Sequence, residues 1–169
     1  MSRSVVRMEL DALLELGSRI GDRLVERGET VSVADGSSGG LITTALLARA
    51  GASAYYVGGA TIYTGPAAKG LIAGTVKAPA GLQGASEPWV QWLSESICTR
   101  LGTTWGIGEG GATGPDGNPY GDPAGHGWVG VHGPTCATRH VLTGDSDRAR
   151  NMAAFATTAL ELFAEVLEA

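Results

Sequence analysis

Apolar residues recur at helical spacing over residues 5–27, where Val6, Leu10, Leu13, Leu14, Leu16, Ile20, Leu24 and Val25 form a stripe that Gly28 ends. The period then changes. Val31 and Val33 alternate with small neighbours as a short strand, which breaks into Asp35-Gly36-Ser37-Ser38-Gly39-Gly40. A helical run over 41–49 follows at once and is closed by Gly51. Residues 55–63 are β-branched and aromatic around Gly58-Gly59, which predicts a second strand with a bulge or a close backbone approach. A short helix is expected over 67–73, and Ser86-Glu87-Pro88 opens a longer one to about residue 100, with Ser86 as N-cap.

Residues 103–108 read as a further strand, and 110–125 as a long loop rich in Gly, Pro, Asp and Asn. Strands over 126–132 and 135–142 flank Gly133-Pro134, which predicts a hairpin. Asp145 or Ser146 is expected to cap a final helix to Leu167, with Leu160, Phe163, Val166 and Leu167 on its buried side. Helices alternate with strands first, and a hairpin follows. The expected fold is therefore α/β, a three-layer α/β/α sandwich with a mixed, largely parallel sheet, in one domain over residues 1–169.

Composition narrows the function. With 169 residues and 43% hydrophobic content, the chain can bury a real core. Its 27 glycines exceed the usual share, and glycine in loops lets backbone approach a ligand closely. A net charge of −5 argues against nucleic acid as a main partner. No apolar leader and no run of ~20 apolar residues is present, so a membrane partner is not expected and the cytoplasm is the expected location. Cys98 and Cys136 form no metal spacing, and Cys98 sits in a helical pattern as a small core residue. His126, His132 and His140 show no ligand spacing either. Neither a metal nor a cofactor is expected.

In open α/β sheets ligands sit beyond the carboxyl ends of the strands. That rule selects the loops holding Asp35 to Gly40, Tyr63 to Lys69, and Glu109 to Pro115. Ser37 and Ser38 offer hydroxyl nucleophiles or helix caps, and Gly39-Gly40 offer amide donors for an oxyanion. Lys69 is either a base, if desolvated, or a solvated surface cation. Glu109 at a strand end suits orienting a loop or ligand better than acid catalysis. The chain lacks G-x-S-x-G, a Walker A lysine, a G-x-G-x-x-G turn after a strand and H-E-x-x-H.

An ordered set of motifs resembles the CinA C-terminal domain family along nearly the whole chain. The family's A-E-S-C-T-G-G is similar to Ala34-Asp35-Gly36-Ser37-Ser38-Gly39-Gly40, and its G-S-S-A-x-F-x-x-G to the segment from Gly51 to Gly59. Its Y-S-N-E-A-K resembles Tyr63-Thr64-Gly65-Pro66-Ala67-Ala68-Lys69, with one residue more before the lysine. Ser86-Glu87-Pro88 matches S-E-P directly, and Gly110 to Pro115 resembles T-G-I-A-G-P. Pro123 to Trp128 resembles P-V-G-T-V-W, and Gly144 to Arg150 resembles G-D-R-x-x-V-R.

The resemblance implies an amidase. It would hydrolyse the carboxamide of nicotinamide mononucleotide, or a related small amide, to the acid and ammonia without a metal, through a serine nucleophile and a lysine base. Carried over by position, Ser38 or Ser37 is the nucleophile, Lys69 the base and Tyr63 an assisting hydroxyl. Asp35, Gly36, Gly39, Gly40 and Glu109 would line the site, with Thr113, Gly114 and Arg150 holding phosphate or ribose. The resemblance further implies a homodimer, and this chain is expected to lack the extra N-terminal domain of larger members. The departures fall in the site. The family's first motif serine is Gly36, its glutamate is Asp35, and Ser37 and Ser38 replace its cysteine and threonine. These changes keep a second reading open, a catalytically silent nucleotide-binding or protein-interaction module of the same fold.

Overall fold

A computed structural model describes residues 3–169, with side chains from Leu10 onward, so the expected apolar position at Val6 lies outside the described side chains. The elements run in the order α1 (Arg3–Arg27), β1 (Val31–Asp35), α2 (Leu41–Leu47), β2 (Tyr56–Thr61), α3 (Gly65–Leu71), α4 (Glu87–Leu101), β3 (Trp105–Gly111), β4 (His126–His132), β5 (Ala137–Leu142) and α5 (Arg148–Glu168). The strands form one sheet in the order β2-β1-β3-β4-β5. β2, β1 and β3 are parallel, and β4 is antiparallel to both β3 and β5. Four of the five strands thus point the same way. The expected bulge is present, because Val31 faces Tyr56 while Ser32 faces Gly58, leaving Val57 over.

Each sheet face has its own core. Val31, Val33, Trp105, Ile107, Val129 and Val131 pack against α1, α2 and α5 through Leu13, Ile20, Leu46, Phe155 and Phe163. Ala34 joins Ala68, Ile72, Leu93 and Ile97 of the α3–α4 side. The sandwich is therefore three layers deep. Leu10 and Val25 of the predicted α1 stripe are exposed instead, since only the Leu13, Ile20 and Leu24 edge meets the sheet layer. No helix among the described residues is long and apolar enough to cross a membrane.

The helix caps follow local chemistry. Ser86 accepts from the Trp89 amide at 3.4 Å and starts α4 as expected. α5 is capped by Asp147, not by Asp145 or Ser146, because the Asp147 carboxylate accepts from the Arg150 amide at 3.0 Å. α3 begins at Gly65, capped by Thr64, two residues before the expected start.

β3 runs on to Gly111, so Gly110 and Gly111, expected in the loop, join the strand. Gly106, Gly108 and Gly110 of β3 share one face and sit directly beneath α4. A Cβ on Gly106 would run into the Ser94 carbonyl, and one on Gly108 into that of Val90. Gly108→Ala is expected to destabilise the fold by about 3 kcal/mol through overpacking. Gly70→Ala, in α3 with open space around it, should stabilise by roughly 0.5–1 kcal/mol. Denaturant unfolding of both variants measures the contrast.

Candidate active site

Ala34 pairs with Gly108 across the parallel β1–β3 ladder, so Asp35 and Glu109 leave the two strand ends side by side. Both carboxyls are almost fully buried. Glu109 extends beneath the turn after β1. Its Oε2 accepts from the Gly36 amide at 3.1 Å and the Ser38 amide at 2.8 Å, and its Oε1 accepts from the Ser37 hydroxyl. Asp35 accepts from the Thr61 hydroxyl at 3.2 Å through Oδ1, while its Oδ2 and the Ser38 Oγ have no well-formed hydrogen bond.

Burial pushes the Asp35 carboxyl up to about 7, with the Glu109 charge adding to the rise and the neighbouring Thr61 hydroxyl, Gly40 amide and Ser38 hydroxyl opposing it. Burial also raises Glu109, against the stabilisation of its charged form by Ser37 and the Ser38 and Gly36 amides. Glu109 receives more hydrogen-bond donors than Asp35, which favours the charged form of Glu109 over that of Asp35.

A cleft of about 400 Å³ opens above this turn. Its floor holds Gly36, Ser37, Gly110 and Gly111, and its walls hold Ile62, Tyr63, Trp89 and Tyr120. The Trp89 ring lies over Gly110, where a Cβ would approach it to 2.9 Å, and packs against Trp92 at 5.3 Å. Tyr63 and Tyr120 are more than half exposed at the mouth. Arg148, the first residue of α5, donates to the Tyr63 hydroxyl and to the Gly114 carbonyl, each at 2.9 Å.

The structure sorts the expected residues. Ser37, Gly36 and Tyr63 line the cleft, and Asp35, Ser38 and Glu109 lie beneath it. Ser38 is fully buried under the turn, so its hydroxyl does not open onto the cleft. The Gly39 amide donates to the Gly36 carbonyl at 3.3 Å and the Gly40 amide serves Asp35, so neither is left over as an oxyanion donor. Lys69 does not line the cleft and makes no hydrogen bond or ion pair among the described residues. Ala68 and Ile72 take the buried face of α3, which turns position 69 outward. No hydrogen bond joins Lys69 to Ser37 or Ser38, and Ser37 is bonded to Glu109 instead.

Thr113 and Gly114 are tied to α5, their carbonyls accepting from Asn151 and Arg148 at 2.9 Å each. Arg150 ion-pairs with Asp145 at 3.2 Å and lines a separate cavity of about 690 Å³ between α1 and α5. It sits two residues past Arg148, about 200° round the helix, and so leaves the cleft side. Trp89, Tyr120 and Arg148 were not singled out from the sequence. Their only signal was an aromatic or basic residue beside a Gly/Pro-rich loop. Among the described residues, no group of His, Cys, Asp and Glu is arranged to hold a metal.

The family model described as CinA C-terminal domain matches residues 14–167. A CinA-like protein of Anaeromyxobacter dehalogenans is 36% identical over 144 residues, which cover 83% of this chain and 35% of that protein. One of Salinibacter ruber is 35% identical over 145 residues, covering 84% and 34%. The chain thus spans about a third of the length of these curated relatives. Among solved structures, a competence-damaged protein (CinA) superfamily protein from Klebsiella pneumoniae superposes with a TM-score of 0.84 at 27% identity, over 92% of this chain and 98% of that one. The competence/damage inducible protein from Agrobacterium tumefaciens gives 0.83 at 26% identity, over 93% and 96%.

The paired carboxyls make stability depend on pH. Asp35 titrates near 3.8 when unfolded and near 7 when folded, so the native state holds an extra proton between those values. Its contribution is complete below about 4 and is lost as pH rises to about 7. Asp35→Asn is expected to flatten the fall in Tm across that window, as read by thermal unfolding at stepped pH.

Proposed function

The chain belongs to the CinA C-terminal domain family, and on that premise we propose that it is an amidohydrolase acting on the carboxamide of a pyridine nucleotide, nicotinamide mononucleotide being the first substrate to test. The observation that carries the reading is Ser37, a hydroxyl at the floor of an aromatic-walled cleft with a buried carboxylate behind it. A pyridinium ring is flat and cationic. Trp89, Tyr63 and Tyr120 offer faces for such a ring, and the buried negative charge below favours it further. Arg148 at the rim is the cation available to a phosphate. Ser37 replaces Ser38 as the proposed nucleophile, because it alone of the two opens onto the cleft. The proposal includes a cytoplasmic homodimer and a small-molecule substrate.

A second reading, a nucleotide binder without turnover, is favoured by one observation. Gly36 stands where the resemblance puts the family serine, and the turn's own amides already serve Glu109. Ammonia release decides between them. Purified protein should liberate ammonia from nicotinamide mononucleotide, and Ser37→Ala should lower kcat at least 100-fold with little change in nucleotide affinity. Thermal stabilisation by the nucleotide with no ammonia released would select the silent binder instead.

A further inference from the structure

Serine is a weak nucleophile until a neighbouring group takes its proton. The lysine expected for that task is exposed on α3 and does not line the cleft. One titratable side chain does touch the Ser37 hydroxyl, and it is the Glu109 carboxylate. Its other oxygen is pinned by the Gly36 and Ser38 amides, which fixes Oε1 toward Ser37. Asp35 stands beside it at the end of the neighbouring strand, 1% exposed, with Oδ2 unpartnered.

We propose that Glu109 is the general base of this chain, taking the proton of Ser37 directly, with Asp35 as the positioning carboxyl behind it. The inference rests on the amidohydrolase reading above, but not on which amide is cleaved. Two neighbouring buried carboxyls do not both ionise readily, because the charge on one opposes the charge on the other, so the pair favours a single charge. The hydrogen-bond donors put that charge on Glu109.

The chemistry balances without a further reactant except water. As Ser37 Oγ bonds to the carboxamide carbon, its proton passes to Glu109 Oε1 and the carbonyl electron pair moves to oxygen. The turn uses the amides of Gly36, Ser38 and Gly39, which leaves the Ser37 amide as the donor for that oxyanion. Collapse breaks the C–N bond, and Glu109 returns the proton to nitrogen, which leaves as ammonia. Water then attacks the Ser37 ester, giving its proton to Glu109. The ester bond breaks, Ser37 Oγ regains a proton from Glu109, and the acid departs.

Glu109→Gln is the informative variant. A glutamine keeps an acceptor oxygen for the two amides, while its NH2 donates to Ser37 Oγ and accepts no proton. The 169-residue chain is treated with phenylmethylsulfonyl fluoride from pH 4 to 9, and Ser37 modification is followed by peptide mass spectrometry. In the wild type the labelling rate should rise with pH in two steps, because the two carboxyls titrate as a coupled pair. Asp35→Asn should leave a single step, which a merely structural Asp35 would not do. Glu109→Gln should label at least 100-fold more slowly while its thermal unfolding stays cooperative. Ser37 that stays unlabelled, or labels equally fast in Glu109→Gln, overturns the proposal, as does loss of labelling in Lys69→Ala. Ammonia release from nicotinamide mononucleotide is measured alongside. Glu109-dependent labelling without ammonia keeps this base and discards that substrate, whereas ammonia release that survives Glu109→Gln keeps the substrate and discards the base.

Discussion

Glu109 lies 72 residues beyond Ser37 in sequence, yet its carboxylate accepts from three consecutive residues of the crossover turn, Gly36, Ser37 and Ser38. Neither half of this arrangement is tolerable alone. A carboxylate withdrawn from water costs several kcal/mol unless donors surround it, and buried amides need an acceptor nearly as badly. A junction of small residues between a strand and a helix would otherwise offer its N–H groups to an outside anion. Here the chain supplies its own, and a foreign phosphate meets a turn whose Gly36 and Ser38 amides are already taken. Whatever binds in the cleft is therefore met by Ser37 and the aromatic walls, not by a vacant nest of amides.

The walls depend in turn on how α4 meets the sheet. Helices and sheets usually keep their distance because both faces carry side chains. Gly106, Gly108 and Gly110 remove the Cβ atoms on one face of β3, and Gly130 does the same on β4 opposite Val90. α4 can then lie against backbone, and its first turn carries the Trp89 indole onto Gly110 at the edge of the cleft. His126 adds a tie from β4, its Nε2 lying 2.9 Å from the Ala85 carbonyl just before the Ser86 cap. The same residues that settle the packing of this layer thus bring an aromatic ring to the cleft that Ser37 lines.

Most elements were legible from periodicity and caps, because those signals are local. The Ser86 cap, the bulge near Gly58 and the hairpin around Gly133-Pro134 each follow from a few adjacent residues. The site was legible only as a set of loops. Which side chain faces inward depends on helix phase, and small errors in a start position rotate it away. Thr64 starts α3 early, and with Ala68 and Ile72 packed inward Lys69 turns to solvent. Asp147 starts α5 at Arg148, so Arg148 meets Tyr63 while Arg150 joins Asp145. The bond between Glu109 and the turn was beyond any local reading, since nothing near residue 37 names a partner 72 positions away. Gly110 misled in a different way. It was expected in a Gly-rich loop, whereas with Gly106 and Gly108 it lies on one strand face that receives a helix.

Charge placement carries the last step. The chain is acidic overall, with a net charge of −5, and it adds a buried carboxyl pair under its cleft. A simple anion entering there is repelled by Glu109 and finds the Gly36 and Ser38 amides taken. The substrate proposed above carries positive charge in a flat ring and negative charge at its far end. In that reading its ring would lie against Trp89, Tyr63 and Tyr120, and its anionic end would reach outward to Arg148, held at the rim by Tyr63 and Gly114. Neutralising Arg148 would then weaken the grip on a phosphorylated ligand more than on its dephosphorylated ring, whereas removing an aromatic wall would weaken both alike. The polarity of the cleft, negative beneath and positive at the edge, suits the proposed zwitterionic nucleotide better than an inorganic anion.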